Sequence, residues 1–414
     1  LFRSRSLRLP LTTVAHLMSV TCRLQGMWPA ESTTDAAELV GAFDGVVPPH
    51  GVVFGGSGQG KTTFIEHRVR AAVAAGRAVL VMCPTGDMAA RAASILQQAG
   101  RPFDAVDFGD SDCPARFNLC EPPSWVAPEE HVSDVVDAIE QAWLGELTTM
   151  MFGPVGRRLI RGVVSVLVRD PAGPWPITLA PELLRGGQLP DFWRDALDRI
   201  GDRDLEILML ETARAISSDK DAHYAPWLQS KLEPLIGSSR IRRVVDCDRG
   251  TIRLERLVEG RSLVISAPGA ALGDVGATVL MGALLSQVWH LVRSVDVSRR
   301  PDLDVVVDEV QRLHPVLLGT MLAEGRKYGL RLLLATQSVA NLQPKLVGSL
   351  LANCGAIGTF KTGMVDAATL DLKFPTVLAS RLQRLGRHEM AVTTGDWDAV
   401  GLAPPPLVDH RDST

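Results

Sequence analysis

The sequence predicts an α/β fold built on a mainly parallel central sheet, interrupted by an inserted all-α domain. A glycine-rich loop stands between an apolar strand and a helix, further strands and helices alternate around it, and a long middle segment carries helical periodicity alone. Strands that are apolar at every position belong to sheets covered on both faces, which is the parallel arrangement.

The elements follow in order. A short strand at 52–54 runs into the glycine loop, and a helix over 61–75 places Ile65, Val69, Ala72 and Val73 at helical spacing until Gly76 stops it. A strand over 78–83, an alanine-rich helix over 88–99 and a strand over 104–108 come next. From about residue 124 the texture changes. Helices at 132–144, 156–168 and 204–216 are separated by proline-rich turns at 171–176 and at Pro181. Strand signals return at 263–266, 303–307, 331–335, 356–360 and 389–393. The chain therefore divides into an N-terminal segment 1–44, a nucleotide-binding domain split between 45–123 and 246–402, an all-α insert 124–245 and a tail 403–414. There is no internal repeat and no low-complexity tract.

Composition narrows the function. With 414 residues, 46% hydrophobic and 22% charged, the chain is ordinary globular protein. A formal net charge of −4 excludes a uniformly basic coat for nucleic acid, so any DNA contact must be local. Lys220, Lys231, Arg242 and Arg243 are cations around the insert, but Asp219, Asp221 and Asp246 lie among them, which describes a solvated mixed-charge face. The six cysteines form no C-x-x-C pair and the nine histidines no metal-spaced cluster, as expected of reduced, structural thiols in the cytoplasm. No run approaches the roughly 18 to 20 uninterrupted apolar residues of a membrane span, and the best N-terminal candidate, 9–20, is short and contains His16. The chain opens on Leu1, and Arg3, Arg5, Arg8 and Arg23 precede any acid, so an upstream segment is expected.

The chemistry concentrates in three places. Gly55, Gly56, Ser57, Gly58, Gln59, Gly60, Lys61 and Thr62 match G-x-x-x-x-G-K-[ST], followed by Thr63, between a strand and a helix. Such glycines let consecutive N–H groups wrap phosphates, the helix start adds its positive end, the lysine reaches the β/γ oxygens and the threonine ligates Mg²⁺. ATP and Mg²⁺ are the expected cofactors. The apolar strand 303–307 then ends in Asp308 and Glu309, where Asp308 can support Mg²⁺ and Glu309 can polarise an attacking water. The strand 331–335 delivers Gln337 to the same edge as a candidate γ-phosphate sensor. Arg326 and Lys327 end the helix before that strand, where complementing the helix dipole is sufficient reason for both.

The order GGSGQGKTT, VVVDEVQRL, LAEGRKYGLRLLLATQS and LANCGAIGTFKTGMVDAATL resembles the HerA-FtsK superfamily of RecA-like P-loop NTPases. Within it the chain looks most like the type IV secretion coupling proteins, the conjugative TraG/TraD-like DNA-transfer ATPases. The likeness covers about residues 45 to 405. It implies a hexameric ring acting on DNA, with secretion-channel or relaxosome partners, at the inner face of the cell membrane. It also implies that Arg326 acts across the subunit interface. The membrane helices of coupling proteins are missing from this sequence. A HerA-like duplex translocase in DNA end processing and a nucleotide-regulated cargo receptor therefore stand as alternatives.

Overall fold

A computed structural model describes residues 34–407 apart from 85, 113, 144–153, 185–188 and 218–223. The apolar candidate 9–20, Cys22, Cys113, Lys220 and the end of the expected tail, 408–414, lie outside the described residues.

Strands β1 (Gly51–Phe54), β2 (Ala78–Cys83), β4 (Ser262–Ser266) and β5 (Leu303–Val307) are buried at every position, and β6 (Leu330–Thr336) at all but one. With β3 (Phe103–Asp107) and β7 (Ala356–Thr359) they pair in parallel. The full order is β3-β4-β2-β5-β6-β1-β7-β8-β9, with β8 (Glu389–Thr393) and β9 (Asp398–Leu402) antiparallel. Successive side chains on a strand face opposite sides. Val53, Val79, Val81 and Val306 accordingly join one core, while Val52, Leu80, Met82 and Val305 join the other.

Helices α1 (Ala36–Gly41), α2 (Lys61–Ala74) and α3 (Gly86–Gln98) cover the first face through Leu39, Phe64, Ile65 and Leu96. The second face carries the insert. Its helices are α4 (Pro128–Trp143), α5 (Pro154–Arg169), α6 (Asp191–Ile200), α7 (Arg203–Ser217), α8 (Tyr224–Ile236) and α9 (Ser239–Val245). Where the sequence suggests only a turn at Pro181, a 3-10 helix spans Ile177–Leu184. Val135, Ile139, Val163 and Trp193 of the insert belong to the same apolar cluster as Leu80 and Val305 of the sheet, so insert and sheet share one core.

The short α10 (Gly269–Leu272) leads into α11 (Asp274–Ser294), which joins the two. By length and composition α11 could cross a membrane, with a mean hydropathy of 1.5, yet 89% of its apolar window is buried inside the protein. Thr278, Ser286, Gln287 and His290 interrupt its apolar run, which is why no span is legible there in the sequence. Helices α12 (Pro315–Glu324), α13 (Pro344–Asn353), α14 (Met364–Leu370) and α15 (Ala379–Leu382) complete the fold.

The end of the chain differs from expectation in detail. β9 has no clear signal of its own, and residues 403–407 of the expected tail are strapped across α2. The Leu407 N–H donates to Glu66 Oε2 at 3.0 Å and His67 Nε2 lies 2.8 Å from the Pro405 carbonyl. A proline run has no periodicity, and its extended backbone is held here by tertiary contacts alone.

Gly329 closes the turn before β6 at φ 79, and a Cβ there would lie 1.9 Å from the Pro301 carbonyl oxygen. Gly329→Ala should therefore lower stability by about 2 kcal/mol or more, from the left-handed conformation and the backbone clash together. Chemical denaturation would measure it, and an unchanged midpoint would contradict this packing.

Candidate nucleotide-binding and hydrolysis site

Strand register assembles the site. Val307 of β5 lies opposite Leu334 of β6, which lies opposite Val52 of β1. Counting forward, Asp308, Gln337 and Gly55 leave the sheet at one edge, each at the C-terminal end of a parallel strand, where ligands of such sheets bind. The edge is tied together by backbone hydrogen bonds from Gly55 N–H to the Thr336 carbonyl (3.2 Å) and from Asp308 N–H to the Met82 carbonyl (3.1 Å).

The loop's glycines answer to geometry. Gly58 and Gly60 adopt φ 72 and 119, and a Cβ on Gly55 would lie 2.8 Å from the Phe360 Cβ just beyond β7. α2 begins at Lys61 on a left-handed Gly60 with no side-chain cap. Its first N–H groups therefore form an anion cradle, with Thr62 and Thr63 in the first turn. Lys61 is only 8% exposed, and its Nζ donates to the Gly55 carbonyl at 2.5 Å and to Gly56 at 3.4 Å. Burial lowers its pKa, against the pull of Asp308 and Glu309.

The two acids are held differently. Asp308 Oδ1 accepts the Glu309 N–H at 3.0 Å, and its carboxyl is pushed above the usual range by burial first and by Glu309 second, with Lys61 opposing. A hard cation beside it would relieve that cost, and the Thr62 hydroxyl with the Asp308 carboxylate is the all-oxygen donor set that suits Mg²⁺. Glu309 has φ 55 and ψ 50. A left-handed glutamate costs of order 1–3 kcal/mol and persists only where its surroundings impose it.

The Glu309 backbone is held by Asp308 Oδ1 and by the Arg312 N–H, and its carboxylate by two glutamines. Gln337 Nε2 donates to Glu309 Oε1 at 3.1 Å, and Gln311 Nε2 donates to Glu309 Oε2. Gln311 is itself held by the Thr336 hydroxyl, which donates to its Oε1 at 2.9 Å. Sequence reasoning did not single out Gln311, although it stands two residues after Glu309 in the same stretch.

Arg326 lies elsewhere. It is exposed on the 3-10 turn Gly325–Tyr328 before β6, and its guanidinium has no hydrogen-bond or ion-pair partner among the described residues. The seven residues of β6, at about 3.3 Å each, put it roughly 20 Å from the edge that carries its own loop. Of the cations around the insert, Lys231 is buried, and Arg242 and Arg243 share a cleft with Asp112 and Asp246.

No protein-family model matches the chain, and no curated protein matches it in sequence. Solved structures do match in fold. The bacterial conjugative coupling protein TrwB, unbound, aligns at a TM-score of 0.60 and 15% identity over 95% of this chain and 93% of that one. TrwB with a non-hydrolysable ATP analogue aligns at 0.60 and 17% over 95% and 94%, and TrwB has also been solved with ADP and Mg²⁺. VirB4 of Thermoanaerobacter pseudethanolicus aligns at 0.56 and 14% over 86% and 90%. The chain thus has the α/β fold of TrwB and VirB4, in keeping with the fold that the sequence resemblance implies.

The raised Asp308 pKa carries a stability consequence. A carboxyl with an elevated folded-state pKa contributes stability below the ordinary carboxylate range and loses it as pH rises through the folded value. Asp308→Asn should therefore raise the thermal midpoint at neutral pH, and the gain should shrink as pH falls toward that range. Thermal melts of both proteins across pH would reveal a pH-independent difference if burial does not act this way.

Proposed function

We propose that the chain is an ATP-driven DNA translocase, the coupling ATPase of conjugative DNA transfer or type IV secretion. One observation carries the hydrolytic part: Glu309 is clasped by Gln337 and Gln311 at the sheet edge that also bears the phosphate loop. Mg²⁺-bound ATP would supply the phosphoanhydride, with its phosphates on the N–H groups of 55–63. Lys61, already within reach of the loop's mouth, exchanges its loop carbonyls for phosphate oxygens. Thr62 and Asp308 would hold the metal and Glu309 would orient water, with Gln337, bonded to that carboxylate, as the γ-phosphate sensor. The DNA part rests on the fold shared with TrwB, named as a conjugative coupling protein, and on the resemblance of the motifs.

Arg326 fits a role in a neighbouring subunit of a homo-oligomeric ring, which the resemblance makes hexameric. It is exposed, without a partner among the described residues, and far from its own loop.

Lys61→Ala should abolish ATP turnover, and Glu309→Gln should retain ATP binding while hydrolysing slowly, because the amide keeps the shape and removes the water-orienting charge. Equal loss of binding in Glu309→Gln would move that residue from chemistry to folding. For Arg326, Arg326→Ala protein mixed with Lys61→Ala protein should partly recover ATPase activity, since some interfaces then pair an intact loop with an intact arginine. A trans arginine is worth roughly 10³ to 10⁵ in rate, so recovery should stand well above either variant alone. No recovery in rings shown to be mixed would sink the trans assignment, and DNA-stimulated turnover by the wild-type protein tests the translocase reading.

A further inference from the structure

His388 stands in the turn before β8 with φ 64. That left-handed backbone suits glycine and is uncommon for a residue with a side chain. Its backbone is pinned from the C-terminal strap, where the Ala403 N–H donates to the His388 carbonyl at 2.8 Å. Its side chain reaches the phosphate loop. Nδ1 lies 3.1 Å from the Gln59 carbonyl oxygen, and the same atom would be 3.4 Å from a Cβ on Gly60.

The contact matters because a peptide group is planar. The Gln59 carbonyl and the Gly60 N–H belong to one peptide unit and point in opposite directions. Fixing the carbonyl on the imidazole therefore fixes the direction of the Gly60 N–H on the other side of the peptide as well. Gly60, at φ 119, has no side chain to restrain it and is the residue that caps α2.

We propose that His388 is a positioning residue for the phosphate loop: its Nδ1–H donates to the Gln59 carbonyl and so aims the Gly60 N–H at the phosphates of a bound nucleotide. The inference rests on reading 55–62 as the nucleotide loop. It links that loop to β8 and to the strap at 403–407, which crosses α2 through Glu66 and His67.

The test measures the Kd of a fluorescent ATP analogue with Mg²⁺, and the thermal midpoint, on the full chain. His388→Gly keeps the left-handed backbone without strain and removes the donor. His388→Asn tolerates the same backbone and restores an amide donor. His388→Gly should weaken binding roughly 2- to 10-fold, the worth of one net hydrogen bond, with the midpoint unchanged or higher. His388→Asn should recover part of that loss. Wild-type affinity in His388→Gly overturns the proposal, as does a loss that His388→Asn does not reduce, or a lowered midpoint with unchanged Kd. Lys61→Ala separates the underlying reading: if it binds the analogue as the wild type does, the loop assignment itself fails.

Discussion

The parallel register of β5, β6 and β1 is the constraint from which the rest of the site follows. Hydrogen bonding sets Val307, Leu334 and Val52 in one row, and each strand then has only one or two residues before it leaves the sheet. A slip of two residues in any of the three would separate Gly55 from Gln337 or Gln337 from Glu309. A slip of one residue would in addition exchange the two faces, taking Val53 and Val306 out of one core and Val52, Val305 and Val307 out of the other. The chemistry at the edge therefore draws its precision from apolar packing beneath it.

The same packing reaches the insert. α11 packs against α4, and its residues Leu280, Leu284 and Val288 share a cluster with Val135, Ile139 and Trp193 and with Leu80 and Val305 of the sheet. No apolar boundary separates a motor from an appended domain. β5, α11 and α12 contribute to one close-packed cluster, and close-packed interiors transmit strain instead of absorbing it. A shared core is thus a physical route by which events at Glu309 could reach the insert.

Legibility in the sequence followed the range of the interactions. The loop 55–62 was readable because its requirements are local: glycines for positive φ, lysine and threonine at fixed steps, a strand before and a helix after. Asp308 and Glu309 were readable because an apolar strand has a definite end. Gln337 was reachable by the same logic, though its bond to Glu309 was not. Gln311 and His388 were missed for a common reason. Each earns its place through a partner 25 or 329 residues away, Thr336 and Gln59 respectively, and no spacing rule encodes such a pair. The strap at 403–407 was read as a tail because prolines carry no period, yet their fixed backbone suits an extended crossing of α2.

Charge balance bears on the proposal that a second chain completes the reaction. The edge holds Lys61 against Asp308 and Glu309, and burial shifts Lys61 down and Asp308 up, each toward its neutral form. Mg²⁺-bound ATP would bring further net negative charge, and charge spreads over the γ-phosphate oxygens as the bond breaks. A second cation at that point has its largest effect once an interface excludes water from it. Arg326 cannot supply it in its own chain, being at the far end of β6, whereas an exposed guanidinium pays little desolvation until an interface closes over it. If, as proposed, a neighbour supplies that charge, hydrolysis would be conditional on assembly, the property a ring motor requires if its subunits are to fire in relation to one another and not independently.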